Sequence, residues 1–152
     1  MTVVRGRGLE VAVPSGWDVR IYRREPVPPE QTFTIMHVAN FGLPERVGDY
    51  GGGAVNVMKG SSIFLCLLEF DPLHVNDALF AYPGPPSTVP IDYYATTTLQ
   101  HGLPGQVGAQ LFFNAGERAW SLFVVLGNSS YREISAPQVD QILQSLVISR
   151  FG

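Results

Sequence analysis

The two side chains best suited to proton transfer are His37 and Glu69. His37 sits among Phe33, Ile35 and Ala39, and Glu69 shares a two-residue period with Ile63, Leu65 and Leu67. A carboxylate at the end of so apolar a run must reach solvent, pair with an arginine or shift its pKa. If the two runs are neighbouring strands, His37 and Glu69 form the one acid–base pair the chain offers around a polar pocket. The competing reading is structural: a hydrogen-bonded core histidine, and a strand-end glutamate bridged to Arg20 or Arg118. The other reactive residue types are isolated. Cys66 lies inside Ile63-Phe64-Leu65-Cys66-Leu67-Leu68 and reads as a small core hydrophobe rather than a nucleophile. His37, His74 and His101 have none of the paired spacings of zinc ligands, so no metal is expected, and no serine stands in a Gly-x-Ser-x-Gly elbow.

Glycine offers a second kind of chemistry. Gly51-Gly52-Gly53 precedes a short helical candidate over 54–59, an arrangement that presents backbone amides to an anion. The spacing to Lys59 matches no phosphate loop, since no Gly-Lys pair with a following Ser or Thr is present, and a plain turn is the simpler reading. Tyr50, beside these glycines, is a rigid side chain suited to contacting a partner.

The elements that position these residues follow from periodicity. Leu9–Val13 and Trp17–Tyr22 alternate around Pro14-Ser15-Gly16 and read as a hairpin. Proline-rich 25–30 is an extended loop, and 32–43 is a strand apolar on both faces, hence central. Ser61–Phe70 is the strongest strand signal. Leu73–Ala81 is a short helical candidate, 83–90 is loop, and 92–100 fits strand or helix. Gly105–Asn114 and Glu117–Leu126 flank Ala115-Gly116 and read as a tight hairpin. Ser135-Ala136-Pro137 resembles a helix start, with Val139, Ile142, Leu143 and Leu146 at helical spacing, and 147–151 is a final short strand. The expected core comprises Trp17, Phe33, Ile35, Leu65, Leu67, Phe113, Phe123, Ile142 and Leu146.

The 152 residues suit one domain, 45% hydrophobic and only 15% charged. Ten Lys and Arg against thirteen Asp and Glu give a net charge of −3, with no basic run able to track a phosphate backbone, so nucleic acid is disfavoured as a partner. Met1-Thr2-Val3-Val4 is interrupted at once by Arg5, Gly6 and Arg7, which does not resemble a signal peptide, and no apolar run approaches a membrane span. A cytoplasmic location is the expectation.

Two end segments carry a family resemblance. Val13-Pro14-Ser15-Gly16-Trp17 after an alternating strand, and Ile142-Leu143-Gln144-Ser145-Leu146 before the last one, are similar to the "VPxGW" and "ILxSL" segments of the PsbP-like and Mog-like superfamily. The middle resembles small actinobacterial proteins through Gly48–Gly51, Leu103–Gln106 and Val124–Gly127. The resemblance covers about thirty positions at the ends and implies an α+β fold, an antiparallel sheet flanked by helices in an αβα sandwich. It also implies an accessory or binding role on larger assemblies, with no shared active site to carry over; no cofactor is expected.

The expectation is therefore a non-enzymatic interaction module. It would dock on a protein partner or self-associate through the loops at Tyr50, Gly51, Gly52 and Gly53 and at Leu103 to Gln106. The rival expectation is a small-molecule binder or enzyme with an aromatic pocket lined by Tyr93 and Trp120, in which Glu69 or His37 supplies polarity. A deep, mostly apolar cavity with convergent polar groups favours the rival; an exposed apolar patch favours the module.

Overall fold

The computed structural model describes residues 1–29, 31–99 and 102–150. Among these, eight strands form two antiparallel sheets. β1 (Thr2–Gly6), β2 (Leu9–Val13) and β8 (Val147–Ile148) make the smaller, in the order β1-β2-β8. β3 (Asp18–Arg23), β4 (Thr34–Ala39), β5 (Ile63–Glu69), β6 (Val107–Ala115) and β7 (Arg118–Leu126) make the larger, in the order β3-β4-β5-β7-β6. The interior strands β4, β5 and β7 are those whose sequences are apolar on both faces, because both faces are covered.

The two faces are covered differently. On one, Met36, Val38, Leu65, Leu67, Leu122 and Val124 pack against Leu9, Val11 and Val13 of β2. Val139, Ile142 and Leu143 of the single α-helix, α1 (Arg132–Ser145), join the same cluster. On the other, Ile35, Ala39, Phe64, Cys66 and Val125 lie under Leu43, Ala54, Val55, Met58 and Leu99. That cover is a long connection containing only the 3-10 turn Val55–Val57 between β4 and β5, joined by the 3-10 turn Thr96–Thr98 and Leu99.

The helix-flanked αβα sandwich is therefore not the fold. One face carries a helix together with a second sheet; the opposite face carries no α-helix. Gly42, Pro44, Gly48, Gly51, Gly52 and Gly53 fall in that cover, and glycine and proline are the residues least compatible with a helix interior.

Several local expectations also change. β2 and β3 form where alternation places them but do not pair. The Pro14–Trp17 turn, closed by the Trp17 amide on the Pro14 carbonyl at 3.3 Å, instead passes the chain from one sheet to the other. β2 pairs with β1 through a turn at Arg7-Gly8, φ 50° and 79°, the geometry of a two-residue type I′ hairpin. The same geometry joins β6 to β7 at Gly116-Glu117, both at φ 60°, one residue beyond the anticipated Ala115-Gly116. α1 starts at Arg132, not Ser135: Asn128 caps the preceding 3-10 turn by accepting the Ser130 amide at 2.9 Å, and Pro137 lies inside the helix. Leu73–Ala81 is two 3-10 turns, Pro72–His74 and Ala78–Phe80. Of the expected core, Ile35, Leu65, Leu67, Phe113, Ile142 and Leu146 are buried, while Trp17, Phe33 and Phe123 are partly covered. Gln100, His101 and Phe151 lie outside the described residues.

Candidate functional site

β4 and β5 are neighbours, yet His37 and Glu69 do not meet. His37 belongs to the Ile35 and Ala39 face of β4, and Glu69 to the Leu65 and Leu67 face of β5. Each is engaged on its own side of the sheet. Glu69 takes the Arg118 Nε–H on Oε2 at 2.8 Å and Arg118 Nη2–H on Oε1 at 3.1 Å, a two-pronged ion pair with side chains 11% and 9% exposed. Thr34 adds its amide to Oε1 at 3.2 Å. Arg118 further donates to the carbonyls of Arg7 and Ser149 at 3.0 and 3.1 Å, and its guanidinium stacks 4.6 Å from the Trp120 ring centroid. This pair ties the large sheet to the β1–β2 turn and to the chain following β8.

His37 is buried between Tyr22 and Phe64, ring centroids 5.4 and 5.1 Å away. Its Nε2 lies 2.9 Å from the Asp49 carbonyl, and the Cys66 thiol also donates to that oxygen, at 2.9 Å. A carbonyl only accepts, so Nε2 carries the proton. Nδ1 is buried without a partner, the bare nitrogen of the neutral ring. Burial lowers the His37 pKa and Arg20 acts in the same direction, against the Asp49 carbonyl and carboxylate. Burial, with the Asp49 carboxylate, pushes the Cys66 thiol far above the usual thiol range, which removes it as a nucleophile near neutral pH. His37 and Cys66 thus anchor the 41–60 connection on the sheet. Arg20 reinforces them, donating to the Leu43 and Pro44 carbonyls at 2.8 and 2.6 Å.

A pH dependence follows. Between the lowered value in the folded state and about 6.5, the unfolded chain binds the His37 proton and the native state does not. This contribution to stability is fully present above about pH 6.5 and is lost as the pH falls toward the folded value. Urea midpoints taken at about pH 7.5 and about pH 5.5 should fall further for the native sequence than for His37→Gln, which keeps an N–H donor for Asp49. An equal fall in both proteins would place the titration elsewhere.

The loops singled out for interaction do come together. Gln106 is buried; its Nε2 donates to the Val55 carbonyl at 2.8 Å and its Oε1 accepts the Leu103 amide at 3.1 Å. This joins segments 51 residues apart in sequence. Between them lies a cleft of about 430 Å³ on the sheet face, walled by Tyr50, Val55, Leu99, Phe123 and Val125 and lined also by Gly52, Thr98 and Gln110. Tyr50 is 51% exposed and meets Phe123 edge-on, centroids 6.5 Å apart. Two of the three glycine amides are committed within the loop rather than to an anion: Gly51 donates to the Gly48 carbonyl at 2.8 Å and Gly53 to Asn56 Oδ1 at 3.1 Å.

Other candidates fall outside this cleft. Leu103 serves through its amide rather than as a wall. Trp120 is fully buried beneath Arg118, and Tyr93 is half exposed on the 3-10 turn Ile91–Tyr93, so these two do not line a shared pocket. His74 forms an exposed contact with Asp77, Nδ1 to Oδ2 2.8 Å. No group of three or more metal-ligating side chains occurs among the described residues.

Sequence reasoning missed Gln110, Thr98 and Val55 as cleft residues and Asp49 as an anchor. Gln110 had a usable signal, an amide within the apolar stretch 107–113. Asp49 had none, because its backbone carbonyl does the anchoring.

What these features define, among the described residues, is a two-sheet antiparallel β-protein with one α-helix and a cleft on the face opposite that helix. Comparisons with protein-family models, with curated proteins and with solved structures return no match to this chain. The likeness to the PsbP-like and Mog-like superfamily rests on its two end segments alone. Among the described residues, no helix is long and apolar enough to cross a membrane.

Proposed function

We propose that this chain is a non-enzymatic binding module that captures its partner through the cleft between Tyr50–Val55 on one side and Thr98, Leu99, Gly102 and Gln106 on the other. The observation that carries this reading is the Gln106–Val55 hydrogen bond, which makes two distant loops the walls of one concavity. The polar groups offered for catalysis are committed elsewhere: Glu69 to Arg118, and His37 and Cys66 to the Asp49 carbonyl. The cleft itself presents apolar walls and neutral amides, a composition suited to holding a group rather than transforming it.

Gly52→Trp tests the reading, because Gly52 lines the cleft and a Cβ there has no atom within 4 Å, which leaves room for an indole at the cleft's edge. Tagged native and variant proteins would be recovered from native lysate, and bound proteins and released small molecules read by mass spectrometry. A bound species depleted in the variant, at an unchanged thermal midpoint, is the expected result. Identical capture by both proteins would overturn the proposal.

A further inference from the structure

We infer that the occupant of the cleft is a small, uncharged, mainly apolar organic molecule bearing a ring and a hydrogen-bond donor. This deepens the binding-module reading and rests on it, taking the small-molecule side of the two expectations rather than a protein partner. Size is the first argument. A volume of about 430 Å³ lies within the range of small-molecule pockets, roughly 300–1,000 Å³, and exceeds what one side chain from a protein partner would fill.

Charge is the second. Among the described residues, no Asp, Glu, Lys, Arg or His lines the cleft, and the Tyr50 hydroxyl, whose pKa burial raises further, is neutral near pH 7. An ionic ligand would lose its hydration there and gain no counter-charge from the described lining residues. The polar contacts narrow the class further. Both ends of the Gln106 amide are already engaged within the protein, which makes Gln106 a brace for the walls. Gln110 donates its Nε2 to Ser121 Oγ at 3.1 Å, which leaves the Oε1 acceptor for a ligand N–H or O–H. Phe123 and Tyr50, edge-on to one another, supply aromatic surface for a ring.

Two dyes sharing a skeleton test this. N-phenyl-1-naphthylamine is neutral, aromatic and carries one N–H; 8-anilinonaphthalene-1-sulfonate adds only an anionic group. Fluorescence titration should show saturable one-to-one binding of the neutral dye, with the sulfonate weaker by about tenfold or more. Gly52→Trp should abolish the neutral dye's binding, and Gln110→Arg should shift preference toward the sulfonate. Equal or tighter binding of the sulfonate to the native cleft would overturn the ligand class while leaving the binding module standing. A cleft that takes neither dye also overturns the ligand class. The module itself falls only if lysate capture is indifferent to Gly52→Trp.

Discussion

Arg118→Met is expected to destabilise the fold by about 3–5 kcal/mol, the cost typical of breaking a buried ion pair from one side. The substitution strands the Glu69 carboxylate at 11% exposure with only the Thr34 amide, at 3.2 Å, to replace two guanidinium contacts. It also deprives the Arg7 and Ser149 carbonyls of their shared donor and uncovers Trp120. The double variant Arg118→Met with Glu69→Met should recover much of the loss, since an apolar pair of similar volume leaves no unpaired charge behind. Urea unfolding with unchanged denaturant slopes would measure both. A single-variant loss below about 1 kcal/mol would mean that water already solvates the pair as it does at a surface.

That pair also shows what the sequence could and could not reveal. Two-residue periodicity assigned His37 and Glu69 each to a face of its own strand, and both assignments hold. Periodicity within a strand says nothing about how two strands are phased. The register pairs His37 with Cys66, three residues before Glu69, and an odd step places Glu69 on the opposite face. The β2–β3 hairpin failed for a related reason: alternation marks strands, whereas pairing depends on where the turn sends the chain, and Pro14–Trp17 sends it between sheets. The β6–β7 hairpin was legible because its glycine turn and its alternation agree. At the cleft, glycine content marked the loop at 50–53 and a Leu-Pro-Gly-Gln segment drew attention to 103–106. Their meeting depends on one buried amide reaching a backbone carbonyl, a contact with no side-chain signature at its Val55 end.

Gly51→Ala is the second large effect and bears directly on the cleft. Gly51 has φ +95°, a conformation that L side chains rarely adopt, and a Cβ there would lie 2.5 Å from Phe64 Cε2 in the buried layer beneath the loop. Phe64 is fully buried against His37 and Val125, so its ring has little room to yield. Backbone strain and overpacking each cost on the order of 1–3 kcal/mol, and together they should lower stability by about 3 kcal/mol. Gly52→Ala, one residue on, should change stability by less than about 0.5 kcal/mol, because its Cβ enters open space. The Gly51 carbonyl also accepts the Ala54 and Val55 amides, both at 3.0 Å, so any shift of the loop off Phe64 displaces Val55 and the Gln106 brace with it. Gly51→Ala should therefore weaken binding of the neutral dye under conditions where the variant is still folded, whereas Gly52→Ala should largely retain it. Parallel loss of stability and dye affinity in Gly51→Ala alone would tie the cleft to the packing of this one glycine. A Gly51→Ala protein as stable as the native chain would show instead that Phe64 and the loop can part without cost.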